Sequence, residues 1–167
     1  MRIKFCPQCG LPLILRSVGD EGLQPFCSEC TRFYFDNAVP CVLTAIVNEQ
    51  GKVLLLRQKH IHEAPTLCSG YVKKGDTLEE TVVREVLEET GQQVMSCQYA
   101  GSWYYPPKGL IMTGFLVRVI ARDFVRSAEV DGLFWADVPH AQRIIARENN
   151  LSGTVLDAVA AMLNDQS

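Results

Sequence analysis

The sequence predicts an α/β protein: an α/β/α sandwich around a mixed β-sheet, with a small Cys₄ module ahead of it. Three observations predict this. Apolar, β-branched runs of strand length recur between turn signals. A capped amphipathic helix lies mid-chain, and a second helical pattern closes it. Two Cys-x2-Cys pairs stand within the first 30 residues. The 167 residues suffice for one ordinary domain and a small appendage, and a hydrophobic content of 47% supplies a core.

The appendage comes first. Cys6-x2-Cys9 and Cys27-x2-Cys30 are separated by 17 residues. In a reducing compartment this spacing reads as a tetrahedral zinc ribbon with Cys6, Cys9, Cys27 and Cys30 as ligands, rather than as disulfides. So short a segment has little core, so metal binding is largely its folding energy, and a closed Cys₄ site is structural. The expected division is 1–35 for the ribbon and 36–167 for the main domain. Cys41, Cys68 and Cys97 stand apart and read as small buried hydrophobes. The aromatic stretch 31–40 reads as a connector. There Phe35 has two readings, a ring that stacks on a base or one that packs the two parts together.

Segments 41–47 and 52–57 are strand-like and joined by the turn 48–51. Residues 58–65 read as a polar loop, with His60 and His62 either as exposed loop residues or as metal ligands. Residues 66–69 lead into a loop containing Gly70 and Gly75. Thr77-Leu78-Glu79-Glu80 is a capping box, Leu78, Val82, Val83, Val86 and Leu87 give an apolar helical face, and Gly91 is a stop signal. Beyond it, 94–105 is a strand running into an aromatic loop at 103–107, and 110–120 is a strand. Residues 124–130 carry Glu129 ahead of a strand at 133–135. A helix is expected from about residue 141 to 146 after Pro139, and a last one from Gly153-Thr154 through Leu163.

On the central helix Glu85, Glu88 and Glu89 stand at i, i+3 and i+4 and share one face. Three adjacent anions repel one another. Either the face is solvated, as charge runs usually are, or it holds a hard divalent cation such as Mg²⁺ through oxygen.

The segment from Gly70 to Gln92 resembles the Nudix box, G-x5-E-x7-R-E-U-x-E-E-x-G-U with U a bulky apolar residue. Gly70, Arg84, Glu85, Val86, Glu88, Glu89 and Gly91 match, while Asp76 replaces the first Glu and Gln92 the last apolar residue. The resemblance implies hydrolysis of a nucleoside diphosphate linked to another group, with Mg²⁺ or Mn²⁺ as cofactor. The ions would be held by Glu85, Glu88 and Glu89, by the carbonyl of Ser69, and by Glu129 from outside the box. Glu89 would be the general base or a nucleophile-activating ligand, supported by Glu88, and Arg84 would orient the carboxylates.

A zinc ribbon directly before such a domain resembles the NADH pyrophosphatase branch of the family, over nearly the whole chain. That branch carries S-Q-P-W-P-F-P-x-S after the box. Here the stretch 101–112 keeps Trp103, an aromatic at Tyr105, Pro106 and Met112 in order, with longer spacing and without the Ser-Gln-Pro start. Lys73 replaces an acid common in the loop. The resemblance implies Tyr71 stacking on nicotinamide and Trp103 on adenine across a homodimer interface. Residues 152–156, with Leu156, resemble the start of a C-terminal helix that lines the substrate pocket. NADH or NAD⁺ is thus the expected substrate, giving a nicotinamide mononucleotide and AMP. ADP-ribose, FAD and NAD-capped RNA are the competing diphosphates.

Composition narrows the classes. A net charge of −3 argues against general electrostatic binding to nucleic acid or anionic membrane, and leaves NAD-capped RNA possible but without support from charge. No apolar run is long enough to span a bilayer, and residues 1–6 carry no signal-peptide core, so a cytoplasmic protein is expected. The reading from another class is a non-catalytic nucleotide sensor or nucleic-acid-binding module. The intact box carboxylates and a ribbon with few cations (Lys4, Arg16, Arg32) argue against it.

Overall fold

A computed structural model describes residues 3–58, 61–125, 127–128, 130–148 and 150–165, with backbone only for 61–63. Of the sequence candidates, His60 and Glu129 lie outside the described residues, as does the side chain of His62. The chain divides into two compact units, Met1–Ala38 and Val39–Ser167.

The first unit is a three-stranded antiparallel sheet of β1 (Ile14–Ser17), β2 (Leu23–Cys27) and β3 (Arg32–Phe33), in that order. The two cysteine turns are alike. Each is followed by a residue in the left-handed region, Gly10 at φ 76° and Thr31 at φ 49°, which folds the chain back around the sulfurs. Phe26 and Phe33 pack with ring centroids 4.6 Å apart, and the Arg16 guanidinium lies 4.7 Å over Phe26. Beyond Phe26 the unit buries little besides Cys6, Pro25 and Cys27, too little apolar surface to hold a fold unaided.

The second unit is built on β4 (Val39–Val47), β5 (Lys52–Gln58), β6 (Ile61–Thr66), β7 (Cys68–Tyr71), β8 (Val94–Tyr105), β9 (Leu110–Val119) and β10 (Val130–Asp137). The strand order is β10-β5-β4-β9-β8, with β6 paired to β5 and β7 to β4. β4 runs parallel to β9, and the remaining pairs are antiparallel, so the sheet is mixed. The helices are α1 (Leu78–Thr90), α2 (Val138–Ile144) and α3 (Ser152–Asn164).

Alternation along the central strands sorts the core onto two faces. Leu43, Ala45, Val53, Leu55 and Leu116 turn toward α2 and α3, where Ala141, Val155, Leu156 and Val159 meet them. Val42, Ile46, Leu54, Leu56, Phe115 and Val117 turn toward Val82 and Val86 of α1. Strands buried on both faces read as continuous apolar runs, which is why 41–47 and 52–57 were unmistakable in the sequence. The result is the α/β/α sandwich that the sequence predicts.

Several expectations need correction. The segment read as a polar loop at 58–65 is mostly strand, with β6 taking up backbone groups of β5 at Leu56 and Gln58. Pro65 removes one donor from this strand, but its carbonyl accepts the Ala146 N–H at 2.8 Å. The aromatic loop expected at 103–107 shrinks, because β8 continues to Tyr105 and a single 3₁₀ turn, Pro106–Lys108, joins it to β9. α2 begins at Val138 rather than near 141, since Pro139 sits in its first turn, where a missing N–H costs nothing. Among the described residues no helix is long and apolar enough to cross a membrane.

Candidate active site and cysteine cluster

The α1 capping box forms as its residues demand. Thr77 Oγ1 accepts the Glu80 N–H at 3.1 Å, and the Glu80 carboxylate accepts the Thr77 N–H at 2.8 Å. Gly91 ends the helix in the left-handed conformation at φ 73°. With both ends fixed, the acidic face of α1 is aimed at β7. That strand brings Ser69, Gly70 and Tyr71 beside it, through pairing of Val42 with Gly70 and Cys41 with Tyr71.

The close approach of helix and strand depends on Gly70. A Cβ there would overlap Cγ, Cδ and Oε1 of Glu85. Gly70→Ala is therefore expected to displace the Glu85 carboxylate and strain the contact by about 1–3 kcal/mol. A misplacement on the order of 1 Å at such a site lowers turnover by roughly 10²-fold. Thermal melting and product assays on the variant check both effects.

Arg84 supplies the counter-charge on this face. Its guanidinium donates a short hydrogen bond to Glu85, a second of 3.4 Å to Glu88, and a third of 3.1 Å to the Tyr71 carbonyl. Burial alone would lower the Arg84 pKa, but the bond to Glu85 and the charges of Glu85 and Glu88 outweigh it and raise it. Glu89 lies deeper, at 8% exposure. Beside it the Cys68 thiol is fully buried and pushed well above its ordinary value, first by burial and then by the Glu89 charge, so it offers no thiolate.

A cavity of about 690 Å³ opens over this face. Ser69, Tyr71, Arg84, Glu85, Glu88, Glu89, Tyr105 and Met112 line it, bringing together most of the sequence candidates. Other candidates lie elsewhere. Trp103 is not among its lining residues. Its indole lies over Gly101 and Gly114 of the paired strands β8 and β9 and packs on the core. Leu156 has no exposed surface and belongs to the hydrophobic core, so the start of α3 reaches the cavity through Ser152 instead. Phe35 belongs to the first unit, where its ring lies 6.4 Å from Phe33. Sequence reasoning missed Cys41, Lys108 and Asn150 as lining residues.

The donor set suits a hard divalent cation, with three carboxylates and Ser69 among the lining residues and a glycine cradle that holds Glu85 against the strand. Among the described residues, only the four cysteines bring three or more ligand atoms within 4.8 Å of one another. On α1, Arg84 Nη1 holds both Glu85 and Glu88.

The cysteine cluster has the dimensions of a zinc–thiolate site. Four sulfurs at zinc–thiolate bond length in a tetrahedron stand about 3.8 Å apart. The Cys6–Cys30 and Cys9–Cys27 sulfur separations are 3.8 and 3.5 Å. The Tyr34 hydroxyl, 3.1 Å from Cys6, holds that thiol down to about 6. Cys30 is pushed up to about 12, first by its hydrogen bond with Cys9. Without a cation the four sulfurs cannot all ionise, and a bound Zn²⁺ would remove that conflict.

Residues 38–156 match the model of the NUDIX domain. The chain belongs to the Nudix family. Among curated Nudix relatives, a "NAD-capped RNA hydrolase NudC" of Salmonella schwarzengrund is 33% identical over 122 residues, 73% of this chain and 46% of that protein. The protein of that name in Vibrio cholerae is 36% identical over 116 residues, 68% and 41%. The chain thus spans about half the length of the curated relatives it matches. Among solved structures, a NUDIX hydrolase from Nitrosomonas europaea superposes with a TM-score of 0.74 at 22% identity, covering 98% of this chain and 92% of that one. The NUDIX domain of Shewanella oneidensis NrtR, complexed with ADP ribose, gives 0.67 at 13% identity, covering 83% and 94%. These likenesses show the Nudix fold.

Both departures from the Nudix box have a local explanation. Asp76, in place of Glu, lies 3.5 Å from Arg84 Nε and braces the guanidinium from the loop side. Gln92, in place of an apolar residue, is fully buried yet satisfied. Its Oε1 accepts the Arg122 N–H at 3.0 Å, and its Nε2 donates to the Arg122 carbonyl at 3.0 Å.

Proposed function

We propose that this Nudix protein is a divalent-metal-dependent pyrophosphohydrolase that cuts NADH or NAD⁺ into a nicotinamide mononucleotide and AMP. The observation that carries the substrate reading is Tyr71. It is 55% exposed and shares the cavity wall with Glu85, Glu88 and Glu89. A core tyrosine would be buried; this ring is available to stack on a flat heterocycle beside the diphosphate site. The curated relatives named for NAD-capped RNA support a substrate of the same chemistry. A homodimer and a cytoplasmic location belong to the same proposal, on the resemblance to the NADH pyrophosphatase branch.

Glu85, Glu88 and Glu89 with the Ser69 carbonyl would hold Mg²⁺ or Mn²⁺, and Zn²⁺ would occupy the four cysteines. Bound divalent ions supply neutralisation of the diphosphate charge and acidify water. Glu89 receives the proton as the water oxygen adds to phosphorus and the bridging P–O bond breaks. Arg84 keeps Glu85 and Glu88 oriented through its charge-assisted bonds. Tyr71 fixes the nicotinamide half, with Met112 and Tyr105 completing that wall.

Product analysis on NADH, NAD⁺, ADP-ribose and NAD-capped RNA with Mg²⁺ or Mn²⁺ tests the reading. The mononucleotide and AMP are expected fastest from NADH or NAD⁺. Tyr71→Ala is expected to remove roughly 1–3 kcal/mol of stacking, a loss of about tenfold or more in kcat/KM for NADH, with a much smaller loss for ADP-ribose. Equal losses on the two substrates would refute the stack, and cleavage of ADP-ribose alone would refute the substrate.

A further inference from the structure

The cavity carries cations to which the proposed diphosphate chemistry gives no role. Three cations line it: Arg84, Lys73 and Lys108. Arg84 is engaged with Asp76, Glu85 and Glu88. Lys73 and Lys108 are exposed, and among the described residues neither forms an ion pair.

The backbone brings these lysines together from distant parts of the sequence. They flank the first residues of β4. Val39 N–H donates to the Gly109 carbonyl at 2.9 Å on one side, and Val72 N–H donates to the Pro40 carbonyl at 3.1 Å on the other. Lys108 precedes Gly109 and Lys73 follows Val72. Two strands on opposite sides of a third are about 10 Å apart, so two long flexible side chains can close on one small anion between them.

Position along β4 says which part of a substrate they meet. Gly70, against which Glu85 rests, pairs with Val42; Tyr71 pairs with Cys41, which also faces Met112; Lys73 lies two residues beyond Tyr71, and Lys108 two residues before Leu110, which pairs with Val39. The steps from Val42 to Val39 span about 10 Å at the rise of a strand. Along the cavity the order is therefore acidic wall, aromatic ring, cation pair. The cation pair lies beyond the ring stacked at Tyr71, away from the diphosphate.

We propose that Lys73 and Lys108 form an anion subsite that selects dinucleotides carrying an extra anionic substituent on a nucleoside half, either a carboxylate on the stacked ring or a phosphate on the ribose. This rests on the proposed pyrophosphohydrolase reading and names its substrate class more narrowly. An uncharged carboxamide leaves both ammonium groups solvated, whereas a carboxylate or phosphate pairs with two of them at once.

The test is equilibrium binding to Glu89→Gln protein with Mg²⁺, which separates recognition from turnover. The ligands are NAD⁺, its deamido counterpart bearing a pyridine carboxylate, and NADP⁺ bearing a ribose 2′-phosphate. At least one anionic ligand is expected to bind about tenfold tighter than NAD⁺, an advantage that shrinks with added salt. Lys73→Ala and Lys108→Ala should each remove most of that advantage, and the double variant all of it. Gain with the deamido ligand identifies the carboxylate as the partner, and gain with NADP⁺ the phosphate. Equal affinity for all three, or an advantage that survives the double variant, overturns the subsite while leaving the pyrophosphohydrolase reading intact. Failure of all three to bind overturns both.

Discussion

Glu89→Gln is expected to lower kcat on NADH by about 10²–10⁴-fold, the range a positioned general base contributes, while leaving the melting temperature nearly unchanged. Glutamine keeps the shape of the side chain and removes its charge and basicity. The position makes the contrast sharp. Glu89 is 8% exposed and lines the cavity, whereas the Glu88 side chain is 55% exposed and lies 3.4 Å from Arg84. Glu88→Gln should therefore cost much less, because a solvated carboxylate that shares a guanidinium with Glu85 is partly replaceable. Chromatographic quantification of AMP for the two variants, beside thermal melts, measures both effects. Turnover of Glu89→Gln within about fivefold of the parent would refute the assignment, since so small a change lies below any general-base contribution.

Stripping the cysteine-bound metal is expected to unfold the first unit and spare the second. Structural zinc contributes apparent binding free energies of about 10–16 kcal/mol in small modules, far above what the Phe26–Phe33 pair and its few buried neighbours supply. Hydrogen exchange with and without a strong chelator reads the outcome directly. Amides of β1, β2 and β3 should lose protection, while those of β4, β5 and β9 keep theirs. Cys27→Ser should do the same without chelator, since Cys27 is fully buried and its sulfur also accepts the Cys30 N–H at 3.4 Å. Unchanged protection after chelation, with no zinc found by elemental analysis, would mean that the cluster is not a folding site.

Where a single local interaction decides the structure, the sequence was readable. α1 is bounded by Thr77 and Gly91 because a capping box and a left-handed glycine act within one turn, and those signals survive without tertiary context. The same helix carries the carboxylates, so the heart of the candidate site came with it. What depends on partners distant in the chain was hidden. β6 is polar and interrupted by Pro65, and only the backbone of β5 makes it a strand. Trp103 is expected from the sequence to stack on adenine across a dimer interface; the packing that two glycines on neighbouring strands give its indole depends on partners distant in the chain. Leu156 was placed on the pocket side, whereas the turn of α3 sends it into the core and leaves Ser152 at the cavity. Lys73 and Lys108 are 35 positions apart and come to line one cavity only through the pairing of β4 with its two flanking strands.

The grip of Arg84 on Glu85 and Glu88 gives the two proposed metal sites of this chain different characters. At the cysteine cluster the sulfurs must keep protons unless a cation binds them, and with so little apolar core the unit is expected to fold only with its metal. On α1 the repulsion is already quieted from within, by a guanidinium that the chain always carries. If magnesium or manganese serves the reaction as proposed, the second unit should survive starvation for it as a folded, idle protein and resume work on resupply, with no round of refolding between.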